Sequence, residues 1–206
     1  MNRIVKTVTA LLLISFAFSS CDEDSDLIGL NDATKYGFIK VTLEGFRPDG
    51  EAYEVTKNFK FASSTGPYGS SSVETDENEG NIYRYFNVER FMGAINESTE
   101  GEENSVEFYG YVNEGQSEED EPDFTESSLY IESAVTTSDK QFFYVNEYLN
   151  IDTEDVTSYK YNGETGKLSL KFTKTLTANE TNSGFPLTVT VNINATVFED
   201  LYPEQL

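Results

Sequence analysis

The chain has no histidine and no tryptophan, and Cys21 is its single cysteine. Without histidine, neither a Ser-His-Asp nor a Cys-His arrangement can be assembled, which closes the common routes to an activated nucleophile. The same shortages rule out a zinc centre of His and Cys, and one cysteine cannot form an intrachain disulfide. Basic residues are scarce: 14 Lys and Arg stand against 37 Asp and Glu, a formal net charge of −23. Such a surface repels phosphates, so nucleic acid is excluded as a partner. Direct adsorption to anionic headgroups is disfavoured for the same reason. Neither a G-x-G-x-x-G nor a G-x-x-x-x-G-K-[ST] loop is present to cradle a nucleotide. The apolar run from Val8 to Phe18 is shorter than the roughly 20 residues a spanning helix needs.

That run suits another purpose. Arg3 and Lys6 precede it, and Phe18-Ser19-Ser20-Cys21 follows it. A basic start, a short apolar core and small residues before a cysteine are the layout of a cleaved secretory signal. Residues 1–20 are therefore expected to be a signal peptide, with the mature chain starting at a lipidated Cys21. Asp22-Glu23-Asp24-Ser25-Asp26 then sets four carboxylates directly after the anchor.

Residues 1–26 resemble the signal peptide, lipobox and acidic export tract of Bacteroidota surface-exposed lipoproteins. The resemblance implies an outer-membrane protein, lipid-anchored and facing the extracellular medium. Two rival readings stand beside it. Asp after the lipidated cysteine also resembles the inner-membrane retention signal of enteric bacteria, and an acidic run is a serviceable solvated tether. Attachment would come from the acyl chains, each buried methylene contributing about 0.8 kcal/mol. Residues 21–34 read as that tether, and a dozen extended residues reach roughly 40 Å. The body of the chain resembles no named family. In general character it resembles the small all-β lipoproteins of Bacteroidota, a likeness that carries no site residues.

Residues 35–206 have the length of one domain with a real core, and the pattern within them is all-β. Leu187, Val189, Val191, Ile193, Ala195 and Val197 alternate with polar residues. A period of two sustained that long is a half-buried strand. Leu168, Leu170, Phe172 and Leu176 line one face of a segment, Lys167 to Thr177, that would pair with it across the turn-rich Asn179–Gly184. Ile39, Val41 and Leu43 predict a strand before Pro48-Asp49-Gly50, and Tyr53, Val55, Phe59 and Phe61 share one parity after it. These two segments predict an antiparallel hairpin. Further strands are expected at Ile82–Val88, Ser105–Asn113, Ser128–Val135, Gln141–Tyr148 and Val156–Tyr161. Glu89 to Ile95 could form one helical turn. Eight or nine short strands predict an antiparallel β-sandwich, Ig-like in architecture, or a partly open barrel.

Three Tyr-x-Tyr pairs stand out: Tyr83/Tyr85, Tyr109/Tyr111 and Tyr159/Tyr161. Residues two apart on a strand share a face, so each pair sets two rings side by side. Outward, they would form a platform for sugar rings, apolar on the face and hydrogen-bonding at the rim. Inward, they would be cross-strand core packing. Ile82/Phe86 and Val106/Phe108/Val112 occupy the opposite parity of the first two pairs. Those residues offer an alternative core face and would leave Tyr83, Tyr85, Tyr109 and Tyr111 outward as ligand-binding candidates.

The acids fall in runs: Glu74, Asp76, Glu77 and Glu79; Glu100, Glu102 and Glu103; Glu118, Glu119, Asp120, Glu121 and Asp123. Calcium needs some six to eight converging oxygens, which loops of a sandwich could supply. No EF-hand loop is present, however, and the bland reading is solvated, mobile loops, Gly115–Asp123 among them. Glycoside hydrolysis needs two acids roughly 5 to 9.5 Å apart, one with a raised pKa, and nothing in the sequence singles out a pair. The expectation is thus a non-enzymatic surface lipoprotein that binds a glycan or protein ligand, with no cofactor beyond calcium. The alternative is a structural or assembly component of the cell envelope acting through strand edges.

Overall fold

The computed structural model describes residues 36–47, 49–62, 71–92, 104–117, 120–124, 126–136, 142–181 and 183–199. Ten strands lead in chain order to a short eleventh: β1 Gly37–Phe46, β2 Ala52–Phe59, β3 Ser71–Asn78, β4 Asn81–Phe91, β5 Ser105–Asn113, β6 Ser127–Thr136, β7 Phe142–Ile151, β8 Val156–Asn162, β9 Lys167–Leu176, β10 Leu187–Thr196 and β11 Phe198–Glu199. They form two sheets, β2-β1-β10-β9-β8 and β11-β3-β4-β5-β6-β7. Neighbours run antiparallel except β11, which lies parallel to β3. The result is a sandwich that does not close into a barrel.

The central strand of the first sheet is the one with the cleanest alternation. Leu187, Val189, Val191, Ile193 and Ala195 of β10 are buried and sit between β1 and β9 in continuous register. Ile39, Val41 and Leu43 from β1 and Leu168, Leu170 and Phe172 from β9 complete that inner face. The second sheet answers with Val73, Phe86, Val88, Val106, Phe108, Val112, Leu129, Ile131 and Leu149. Each fully buried aliphatic side chain contributes about 1.5–3 kcal/mol, and packing of this kind holds a core without disulfides. On the outer side of the first sheet, threonine hydroxyls pair across strands, Thr42 with Thr56 at 2.9 Å and Thr173 with Thr190 at 3.2 Å.

Two crossings tie the sheets together. Val197 is buried between β10 of one sheet and β11 of the other, and its N–H donates to the Gly166 carbonyl at 2.8 Å. Beyond β2, Phe61 pairs with Phe91 at the end of β4, each N–H donating to the other's carbonyl at 3.1 and 2.8 Å. Phe61 therefore belongs to a bridge into the second sheet and not to β2, whose parity it shares.

The predicted hairpins β1–β2 and β9–β10 are present. Among the described residues the strands number eleven rather than eight or nine, and the difference lies mainly in β3. Its Glu74, Asp76 and Glu77 read as a solvated loop, yet they pair with β4 from Ser71↔Val88 to Asn78↔Asn81. The two-residue turn Glu79-Gly80 that joins them has positive φ at both positions, 52° and 84°. That geometry matches the twist of a tight hairpin and is permitted at Gly80 by the missing Cβ. The helical turn expected from Glu89 is instead the end of β4, held by pairing of Glu89, Arg90 and Phe91 with β5. A 3-10 turn spans Thr153–Asp155, and among the described residues no helix is long and apolar enough to cross a membrane. The signal peptide, Cys21 and the 21–34 tether lie outside the described residues.

Candidate functional site

Parity on β4 sends Phe86, Val88 and Arg90 into the core, which leaves Tyr83 and Tyr85 on the outer face. On β5 the same rule buries Val106, Phe108 and Val112 and turns Tyr109 and Tyr111 outward. Register then gathers these rings. Tyr85 lies directly opposite Tyr111 and Asn87 opposite Tyr109. The Tyr111 ring stacks on Tyr83 at 5.8 Å with planes 17° apart, and its centroid is 5.0 Å from that of Tyr85. These rings pack on one another across the strands and still present a surface to solvent. Tyr85 is 41% and Tyr109 43% exposed.

The sheet extends this face beyond the predicted residues. Tyr130 on β6 is opposite Glu107, and Tyr148 on β7 is opposite Tyr130. Tyr148 is 61% exposed, and its hydroxyl donates to Ser128 Oγ at 3.0 Å. A row Glu89–Glu107–Tyr130–Tyr148 thus crosses four strands, beside a row Asn87–Tyr109–Ser128–Asn150. Neither Tyr130 nor Tyr148 belongs to a Tyr-x-Tyr pair among the sequence candidates. What places them is the pairing of β6 with its neighbours, although the buried parity of Leu129 and Ile131 already marks Tyr130 as outward.

Charge on this face has one sign. The outward acids on β3 to β6 are Glu74, Asp76, Glu89, Glu107 and Glu132, while the basic residues of these strands, Arg84 and Arg90, lie on the inward parity. Arg90 is fully buried, donating to the Glu89 carbonyl at 2.6 Å and the Tyr36 carbonyl at 3.0 Å. Burial lowers its pKa to about 10, partly opposed by the Glu89 charge. The Glu89 carboxyl is itself pushed up, first by burial and then by the Glu107 charge, with Arg90 working against both. Tyr109 is held neutral, its pKa raised to about 12 by partial burial, by its hydrogen bond to Glu107 and by the charges of Glu107 and Glu89.

The third pair has the opposite fate. On β8 the alternate parity holds Ser158, Lys160 and Asn162, which cannot form a core, so Tyr159 and Tyr161 pack inward. Their rings meet Phe86 edge-on at 6.3 and 5.2 Å, and Phe124 meets Tyr159 at 5.2 Å. The Tyr159 hydroxyl donates to Glu114 Oε1 at 2.6 Å, and Arg84 Nε pairs with Glu114 Oε2 at 3.1 Å. The Arg84 guanidinium also lies 5.1 Å from the Tyr161 ring centroid. Arg84, Glu114, Tyr159 and Tyr161, with Gln116, Asp120 and Pro122, line a cleft of about 670 Å³. Its polar groups largely serve one another; Asp120 Oδ2, for example, accepts the Gln116 and Ser117 N–H groups at 2.7 and 2.9 Å. Those bonds lie within the 115–123 loop, of which residues 118 and 119 are outside the described residues. A shallower hollow of about 470 Å³ lies between Phe46, Tyr53 and Pro186. Neither hollow includes an outward tyrosine.

Among the described residues, no three carboxylates converge to hold a metal ion. Glu74, Asp76 and Glu77 are spread along β3, while Glu100, Glu102, Glu103, Glu118 and Glu119 lie outside the described residues. No protein-family model matches the chain, and no curated protein or solved structure matches it either. What stands is an all-β sandwich with a tyrosine-rich, acidic outer face on its second sheet.

Proposed function

We propose that this chain is a non-enzymatic cell-surface lipoprotein that captures an extracellular glycan or protein on the outer face of its second sheet. Acyl chains on Cys21 would hold it in the outer membrane, with residues 21–34 spacing the domain from the headgroups. The observation that carries the binding reading is the set of outward rings from four adjacent strands, Tyr83, Tyr85, Tyr109, Tyr111, Tyr130 and Tyr148. Aromatic side chains gathered on one outward sheet face support an interaction site, since large exposed apolar patches are uncommon on surfaces that meet only water. Tyrosine gives an apolar face with a polar rim at small entropic cost, which suits either ligand class.

The test is binding of the full chain, purified in non-ionic detergent, to a broad polysaccharide array with calcium present, and to envelope proteins. Binding that is lost in Tyr83→Ala/Tyr85→Ala and Tyr109→Ala/Tyr111→Ala supports the reading. Undiminished binding in both folded variants removes the tyrosine face from it. A second reading, an envelope assembly component, is favoured by the sheet edges: β2, β8 and β7 each have one side without a partner strand among the described residues. An unpaired edge can accept a strand from another chain. Cross-links from β7 or β8 to an envelope protein, with intact binding in the tyrosine variants, would select that reading.

A further inference from the structure

We propose that the ligand of the tyrosine face is a protein that presents lysine or arginine side chains, held by Tyr109, Tyr130 and Tyr148 around the facing carboxylates Glu89 and Glu107. The inference rests on the tyrosine-face reading and narrows it to one class of partner.

Register places Glu89 and Glu107 directly opposite each other on adjacent strands. Like charges in that position destabilise a sheet. A facing acid pair alone is not distinctive, since Glu44 and Glu54 also stand opposite each other on the first sheet. What sets Glu89 and Glu107 apart is the rings around them, and the lysines lie elsewhere. Lys40, Lys160, Lys167 and Lys171 all lie on exposed positions of the first sheet. The outward positions of β3 to β6 carry none. A cation from outside would relieve the repulsion between the carboxylates and lie over neighbouring ring faces, where the quadrupole attracts positive charge.

The shape of the surface argues for a macromolecule. Small ligands need a concave site that encloses most of their area, and neither of the two hollows described above includes these rings. A row of side chains four strands wide suits a protein surface, and tyrosine is among the residues enriched where proteins meet. A divalent metal fits poorly, since it needs several oxygens at once and no three carboxylates converge among the described residues. Distributed side-chain cations match distributed acids.

The experiment uses the full chain in non-ionic detergent and, as probes, octalysine, octaarginine and octaglutamate peptides, read by calorimetry at low and physiological salt. Any acidic protein attracts a cation, so the variants carry the decision. Tyr109→Ala/Tyr148→Ala keeps the net charge and should weaken octaarginine binding by about tenfold, the loss of two cation–ring contacts. Glu89→Gln/Glu107→Gln should weaken it at least as much. Glu44→Gln/Glu54→Gln on the first sheet removes the same charge and should change little. Equal loss in both charge variants with none in the tyrosine variant would mean generic attraction and overturn the proposal. Polysaccharide binding that needs Tyr109 and Tyr148, without any preference for basic peptide, would overturn it while leaving the tyrosine-face reading intact. If neither kind of ligand depends on the tyrosines, both fail.

Discussion

The Tyr159 hydroxyl donates to Glu114 Oε1 at 2.6 Å while Arg84 holds the other oxygen of the same carboxylate. Arg84 also donates to Thr75 Oγ1 at 2.5 Å, so one network joins β8, β3, β4 and the end of β5. Removing its shared acceptor leaves a partly buried phenol and a guanidinium without it. Glu114→Ala should cost about 1–3 kcal/mol and Tyr159→Phe about 1 kcal/mol. Urea unfolding of the two variants measures both, and a Glu114→Ala cost smaller than that of Tyr159→Phe would show that Glu114 is not the shared acceptor.

Alkaline stability follows from the tyrosines. Burial first, and then the Glu147 charge, raises the Tyr53 pKa from 10.0 to about 12. The folded chain therefore holds its phenolic proton more tightly than the unfolded chain. The stabilisation is complete below pH 10 and is lost as pH rises from about 10 to 12. Tyr53→Phe should flatten that decline, as read from unfolding midpoints across the range. A decline as steep as in the parent would assign it to other groups.

The Glu89–Glu107 pair makes a prediction of opposite sign from a usual carboxylate. Glu89 has a folded-state pKa raised from 4.5, so ionising it weakens the fold as pH rises through that value. Glu89→Gln should therefore stabilise the unliganded protein near neutrality, by roughly 0.2–1 kcal/mol for a like-charge cross-strand pair. The gain should vanish in acid, where the carboxyl is protonated. Thermal melts at pH 7 and below pH 4 check both arms, and destabilisation at pH 7 would contradict the unfavourable pairing.

Gly110 sits on the buried parity of β5, with the Phe108 ring over it. A Cβ there would lie 2.6 Å from Phe108 Cζ and 3.2 Å from Phe86 Cδ2. Gly110→Ala overpacks the core and should cost about 1–3 kcal/mol. A neutral result in a melting experiment would require both rings to have moved.

Attachment through Cys21 has a direct test. Cys21→Ser should release the protein from the membrane fraction and abolish incorporation of labelled fatty acid. A variant that stays lipidated and membrane-bound would end the lipoprotein reading and the address that depends on it.

The strands with one apolar and one polar parity were readable from sequence, β10 above all, because burial on one side and water on the other impose a period of two. The outward placing of Tyr83, Tyr85, Tyr109 and Tyr111 was legible for the same reason: Phe86 and Phe108 are better candidates for the inner face. The same comparison applies to Tyr159 and Tyr161, whose neighbours Ser158, Lys160 and Asn162 are polar. Val156 shares the parity of those neighbours and still packs on the core because the register shifts between Val156 and Ser158. β3 was not legible. Its inward residues, Ser71 and Val73, are few, and its acids disguise a segment whose strand conformation depends on backbone bonds to β4.

Sequence by itself determined the all-β class, the strand parities and the sign of the charge, since each follows from the order of apolar and polar side chains along the chain. Tertiary structure decided which strands became neighbours. Only strand pairing could bring Tyr130 and Tyr148 beside Tyr109, and set Glu89 against Glu107, because cross-strand register joins residues that are distant in sequence. Parity says which face a side chain takes; register says what it meets there.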